Sequence, residues 1–217
     1  SGAGRLVLLS RKGAAAPGGQ QHWQHLTRAS VETSASVGVE LSDVATERES
    51  KLAVEHGRTG LVHSAGVLAD ALLPNQTQTG LQKVWGPKSM AAWTMHRAGC
   101  EHHSVWELFV LFSSVAALLG NPGQANYAAA NAFLDALSHD RQEHGLAGTS
   151  VQWGAWAGVG MAVASGVEEN LGGQGLGVAT EEQGVQALEL VLEGKGTVAG
   201  AVPLEWPVLL GLMEGAV

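Results

Sequence analysis

The sequence predicts a doubly wound α/β fold, a parallel sheet with helices on both of its faces. Three observations predict it. Short apolar runs of strand length alternate with longer helical stretches. One run, Leu108 to Phe112, is apolar at nearly every position, as a parallel strand covered on both faces requires. The chain holds 30 glycines in 217 residues, and folds of this class use glycine at strand-to-helix turns.

The elements follow in order. Arg5-Leu6-Val7-Leu8-Leu9-Ser10 is too short for a helix and ends at Arg11-Lys12-Gly13, so it reads as a buried strand. A Gly/Ala/Pro loop leads to a helix around Gln20 to Arg28, and Ala35 to Leu41 forms the second strand. A short polar helix covers Thr46 to Glu55, and Thr59 to His63 is a third strand ending in Ser64-Ala65-Gly66. A helix carrying Lys83 and Lys88 comes next, then the strand Leu108 to Phe112 and a long helix from Gln124 to Glu143. Thr149 to Trp153 is another strand. Ala157 to Val178 is glycine-rich and lacks periodicity, which marks a loop or lid. Thr180 to Glu193 reads as a helix, with Thr at its N-cap and two acids in its first turn. A last strand spans Thr197 to Val202, before Glu205-Trp206.

Composition narrows the function classes. A net charge of −8 disfavours nucleic-acid binding, which needs a basic face to neutralise phosphates. A single cysteine, Cys100, excludes an internal disulfide and fits a reducing compartment. No apolar run reaches membrane-spanning length, so the chain reads as soluble, cytoplasmic and without a membrane partner.

In a doubly wound sheet, ligands bind beyond the carboxyl ends of the strands. The segments leaving those ends are Ser10-Arg11, Asp43, Ser64-Ala65-Gly66, Ser113-Ser114 and Gly154-Ala155-Trp156. Carbonyl reduction needs an acid to protonate the nascent alkoxide, and a tyrosine near a cation suits that task. Ser114 ends a strand, and Tyr127, thirteen residues on, opens the next helix. Asn131 lies four residues further, on the same helical face. Lys88 follows Gly86-Pro87 on the preceding helix.

The stretch LFVLFSSVAALLGNPGQANYAAANAFLDAL resembles the core motif of ketoreductase domains in modular polyketide synthases and their fatty-acid synthase relatives. These belong to the Rossmann-like short-chain dehydrogenase/reductase superfamily. Typical superfamily members carry Tyr-x3-Lys on this helix. The ketoreductases carry Tyr-x3-Asn with the lysine moved to the earlier helix, and this sequence shows that swap in Tyr127, Asn131 and Lys88. RLVLLSR, VHSAGVLAD, SVQWGAWAGVGMA and PLEW extend the likeness over nearly the whole chain.

The resemblance implies NADPH-dependent reduction of a β-ketoacyl thioester, carried on an acyl carrier protein, to a β-hydroxyacyl thioester. Tyr127 would be the proton donor and Ser114 the group holding the substrate carbonyl. Lys88 would lower the tyrosine pKa, and Asn131 would hold a water or backbone group in the proton relay. Ser10 and Arg11 would meet the adenosine 2′-phosphate, Asp43 and Val44 would flank the adenine, and Ala65 and Gly66 would let the cofactor approach the backbone. Gly154, Ala155 and Trp156 would face the nicotinamide. Other polyketide synthase domains would be partners, and docking an acidic carrier would need a local basic spot. Leu68-Ala69-Asp70 partly matches the Leu-Asp-Asp of B-type members, position 119 is Leu rather than the Trp of the opposite type, and Gln124 is not His.

Ser113 is assigned a structural role, and His102-His103 a loop rather than a metal site, with only Cys100 nearby. The chain departs from the family in two places. It opens at what would be the family's second strand, without the first strand and its glycine-rich phosphate turn, so residues 1–217 read as one partial catalytic domain. The helical segment between Asp43 and His63 is also short. Two other readings stay open: a non-catalytic fragment or scaffold with an incomplete cofactor site, and a free-standing or fatty-acid synthase reductase of the same superfamily.

Overall fold

The structure is a computed structural model that describes residues 5–10, 36–41, 46, 48–51, 60–102, 106–157, 175–194 and 196–214. Its centre is a four-stranded, all-parallel sheet. Strand β3 (Gly60–His63) pairs with β4 (Leu108–Ser114), β4 with β5 (Thr149–Trp153), and β5 with β8 (Val198–Ala201). Strands β1 (Arg5–Ser10) and β2 (Ser36–Leu41) form a separate parallel pair, in register from Arg5↔Ser36 to Ser10↔Leu41. Among the described residues β1 pairs only with β2, and β3 only with β4. On β3, Val62 is 51% exposed. A third small pair joins β6 (Ala155–Trp156) to β7 (Val178–Ala179).

Helices cover both faces of the central sheet. On one face lie α2 (Ala91–Glu101) and α4 (Ala125–Glu143), where Met95, Leu134 and Leu137 pack against Trp106, Phe109 and Leu111. On the other lies α5 (Glu181–Glu193), whose Ala187, Leu188 and Val191 meet Val110, Val151, Trp153 and Ala201. Alternate residues of β4 thus enter two different cores, which explains why its sequence is apolar without alternation.

Several local features follow from the sequence. Helix α1 (Gln78–Trp85) starts at Thr77, whose hydroxyl accepts from Gly80 N at 3.0 Å. Helix α5 carries a full capping box, with the Thr180 hydroxyl taking the Gln183 N–H and the Gln183 side chain taking the Thr180 N–H. Four differences stand out. Strand β4 runs two residues past Phe112, because Ser113 and Ser114 continue the ladder opposite Gln152 and Trp153. The helix expected around Lys83 and Lys88 is three segments in sequence, with Gly86–Met90 wound as a π-helix between α1 and α2. Pro87 sits in that segment without a backbone N–H to give. A last helix, α6 (Trp206–Glu214), follows Glu205, with Pro207 in its first turn where no N–H partner is needed. The segment leaving β5 is itself a short strand, β6.

Residues 48–51 include the helical turn expected within Thr46 to Glu55. The helix expected at Gln20 to Arg28 lies outside the described residues, as do residues 158–174 of the glycine-rich segment. No helix among the described residues is long and apolar enough to cross a membrane.

Candidate active site

The strands β3, β4 and β5 end at one edge of the sheet, and the chemistry-bearing residues gather there. Beyond Ser114 the chain turns through Val115 into a single helical turn, α3 (Ala116–Leu119), and the Ser114 hydroxyl accepts from Ala116 N at 3.2 Å. Gly123, at φ 79°, makes a turn that a side chain would strain, and its carbonyl accepts from Ala71 N at 2.8 Å. That contact belongs to a strap between the segment after β3 and the entry to α4. Gln76 Nε2 donates to the Ala71 carbonyl (2.6 Å), Gln124 Nε2 to Asp70 Oδ2 (2.9 Å), and Asn126 Nδ2 to the Ala69 carbonyl (2.7 Å). Asn126 Oδ1 in turn accepts from Tyr127 N at 2.7 Å, so the strap fixes where Tyr127 begins.

Tyr127 is 8% exposed and packs among Val84, Ala116 and Ala130, with Leu68 and Trp85 alongside. One turn on, Asn131 is fully buried, and its Nδ2 donates to the Tyr127 carbonyl at 2.8 Å. Asn131 Oδ1 is buried without a hydrogen-bond partner among the described residues. Ser113 does what a structural residue would: its buried hydroxyl donates to the Asn131 carbonyl at 3.2 Å.

Lys88 reaches the same place from the π-helical segment. It is 2% exposed, its ammonium donates to the Phe112 carbonyl at 3.0 Å, and that nitrogen lies 5.3 Å from the centroid of the Tyr127 ring. Its neighbour Ser89 donates to the Ala130 carbonyl at 3.1 Å, tying the segment to α4. Beneath it, His63 at the end of β3 is buried, and its Nε2 donates to the Lys88 carbonyl at 2.9 Å. A carbonyl only accepts, so Nε2 carries the ring hydrogen.

These surroundings set the charges. Burial pulls Lys88 down from 10.5 to about 8, and the charge of Asp135 works against that fall. Burial likewise takes His63 down to about 4, opposed by its bond to the Lys88 carbonyl and assisted by the Lys88 charge. Burial raises the Tyr127 phenol above its ordinary value, while hydrogen bonding with Asn131 and Ser114 lowers it and the charge of Asp70 raises it. Burial outweighs those bonds, so the net direction is upward, and any lowering by Lys88, whose ammonium lies 5.3 Å from the ring centroid, does not dominate.

Ser114, Tyr127, Asn131 and Lys88 are thus brought together. Ser64 and Ala65 are exposed beyond β3, and Gly66 is half-buried there. Gly154 approaches Val202 closely, since a Cβ at 154 would lie 2.5 Å from Val202 Cγ2. Gly154, Ala155 and Trp156 are half-buried, and the Trp156 ring packs on Trp153 at 4.8 Å between centroids. It also covers Gly184, where a Cβ would lie 2.1 Å from it. Ser10 is the last residue of β1, while Arg11, Asp43 and Val44 lie outside the described residues. His63 and Asp135 escaped the sequence reading. The signal for Asp135 was its spacing, since Tyr127, Asn131 and Asp135 follow one another at four-residue steps on one helix face.

Comparison with known proteins identifies the family. The family model for the KR domain matches residues 1–158. The chain is 37% identical over 222 aligned positions to the phthioceranic/hydroxyphthioceranic acid synthase of Mycobacterium tuberculosis strain H37Rv, covering 94% of this chain and 10% of that protein. It is 44% identical over 161 positions to polyketide synthase GfsA of Streptomyces halstedii, covering 71% of this chain and 2% of that one. Among solved structures, the first ketoreductase of the tylosin polyketide synthase superposes with a TM-score of 0.83 at 34% identity, over 98% of this chain and 46% of that one. An A-type ketoreductase from a modular polyketide synthase superposes with a TM-score of 0.85 at 34% identity, over 98% and 45%. The chain therefore spans a small part of these synthases and just under half of the solved ketoreductase chains. By its family match and its fold, this chain belongs to the KR family, the ketoreductase domains of polyketide synthases within the short-chain dehydrogenase/reductase superfamily.

Proposed function

We propose that this chain forms the catalytic part of an NADPH-dependent reductase that converts a β-ketoacyl thioester on an acyl carrier protein to a β-hydroxyacyl thioester. The observation that carries this reading is the meeting of four side chains at the carboxyl end of β4: Ser114, Tyr127, Asn131 and Lys88.

The described residues fit the nicotinamide end of such a cofactor. The strand ends they line offer small residues at Ser64, Ala65 and Gly66, which leave room for a close approach to the backbone. When bound, the cofactor supplies hydride to the carbonyl carbon. The chain's own groups handle charge and proton. The Ser114 hydroxyl donates to the substrate oxygen as charge gathers there. Burial keeps the Tyr127 phenol protonated and makes it a weaker acid, so giving up the proton calls for a cation nearby. Lys88, a buried cation beside the ring, favours the phenolate that results. Asn131 Oδ1 is placed to accept from a water that returns a proton to this pair.

The family's association with polyketide synthases supports an acyl carrier protein and neighbouring synthase domains as partners. The reading of residues 1–217 as part of a larger catalytic domain is supported by the share of the solved ketoreductases that they cover. The test is NADPH oxidation by the intact protein with a β-ketoacyl N-acetylcysteamine thioester. Stoichiometric β-hydroxy product is expected, and its absence from a folded, NADPH-binding protein contradicts the proposal.

A further inference from the structure

The polar network does not stop at Asn131. One turn further along α4, Asp135 is half-buried and faces β5. Its Oδ1 accepts from Ser150 Oγ at 2.6 Å and its Oδ2 from Gln152 Nε2 at 2.8 Å. Ser150 and Gln152 flank Val151, and Val151 stands opposite Phe112 in the β4–β5 ladder. The carbonyl of Phe112 is the acceptor for the Lys88 ammonium. The carboxylate and the ammonium are therefore fastened to adjoining rungs of the same two strands, one from α4 and one from the π-helical segment.

We infer that Asp135 is a positioning residue that acts through Lys88, its carboxylate serving as the counter-charge that keeps the buried ammonium protonated beside Tyr127. Neither Ser150 nor Gln152 carries charge, so both hold the carboxylate in place without neutralising it. Among the described residues, the titratable groups touching or acting on Lys88 are His63 from β3 and Tyr127 and Asp135 from α4, and its hydrogen bond to β4 goes to the Phe112 carbonyl. Tyr127 is neutral until it gives up its proton, and His63, a ring pulled down to about 4, is neutral near pH 7. Asp135 is the one acid acting on Lys88 among the described residues. A cation this far from water otherwise sheds its proton, and an opposite charge nearby resists that loss.

The catalytic consequence rests on the reading of Tyr127 and Lys88 as the proton-delivering pair, so the test has one arm that uses no catalysis. In the intact protein, trace acetylation of Lys88 by acetic anhydride across a pH series, read by peptide mass spectrometry, reports the midpoint of its titration. Asp135→Asn should lower that midpoint by about one pH unit, and Asp135→Glu should leave it near the wild-type value. The basic limb of kcat/KM for ketothioester reduction should move down with it in Asp135→Asn. Should Asn fail to fold at this position, Asp135→Ser reads the same midpoint with a smaller side chain. An unchanged Lys88 midpoint in a folded neutral variant overturns the inference, whatever the reductase assay gives. A lowered midpoint with no measurable reduction supports the inference and contradicts the proposed function instead.

Discussion

The ammonium of Lys88 stands over the ring face of Tyr127, 5.3 Å from its centroid, while its hydrogen bond goes to the carbonyl of Phe112. Lys88 is thus held by the sheet beside the tyrosine rather than bonded to its hydroxyl. The phenol stays protonated in this setting, and the lysine acts on the phenolate left once the proton has gone.

Ser114→Ala should lower kcat for ketothioester reduction by about a hundredfold, the usual size of losing one donor to a developing oxyanion. Its melting temperature should be nearly unchanged, because the hydroxyl's backbone contact is a 3.2 Å acceptance from Ala116 N at the rim. Steady-state kinetics and a thermal melt on the same preparation check both halves. A loss of less than about threefold would remove Ser114 from the oxyanion role.

Lys88 sets a pH dependence whose sign can be worked out. Its folded value of about 8 lies below the ordinary 10.5. Between these values the unfolded chain binds the extra proton, so stability rises with pH across that window. Below about pH 8 both states are protonated and the folded protein carries the full penalty of a buried cation, roughly 3 kcal/mol. Lys88→Met should therefore be more stable than wild type at pH 7 and lose that advantage by pH 10. Denaturant melts of the two proteins at both values measure the difference, and a destabilised Met variant at pH 7 would contradict this sign.

Gly184 lets α5 settle onto Trp156, since a Cβ there would lie 2.1 Å from the indole. Gly184→Ala should cost about 1–3 kcal/mol through overpacking, although alanine favours helices. A urea titration decides this, and a stabilised variant would show that Trp156 is free to move.

The hydroxyl product should be the D alcohol. The partial match of Leu68-Ala69-Asp70 to the B-type motif motivates this, and Gln124 bonds Asp70 at 2.9 Å, so two of the positions concerned act together. Chiral chromatography of the product is the check, with a predominantly L alcohol counting against it.

Legibility varied along the chain for physical reasons. Thr149–Trp153 and the helix after Thr180 were readable because their signals are local: one short stretch bounded by Gly148 and Gly154, one N-cap threonine followed by two acids. The Tyr127-to-Asn131 spacing was readable because a helix converts sequence steps into a face. The π-helical winding at Gly86–Met90 was not, because it depends on how Lys88 and Ser89 reach the sheet and α4. His63 was hidden as the last residue of a short strand, where its role depends on a carbonyl twenty-five residues away. The α6 helix drew no expectation because its apolar residues lack a polar face and its start carries Pro207.

The most direct measurement is NADPH-dependent reduction of a β-ketoacyl thioester by the intact protein and by its Tyr127→Phe variant, alongside NADPH titration of both. The account predicts turnover by the wild type and a loss of at least about a hundredfold in the variant, the scale of a general acid, with NADPH affinity unchanged within about twofold. A Tyr127→Phe protein that binds NADPH and still reduces the thioester at more than about one tenth of the wild-type rate would contradict it, since a hundredfold is the low end for such a group.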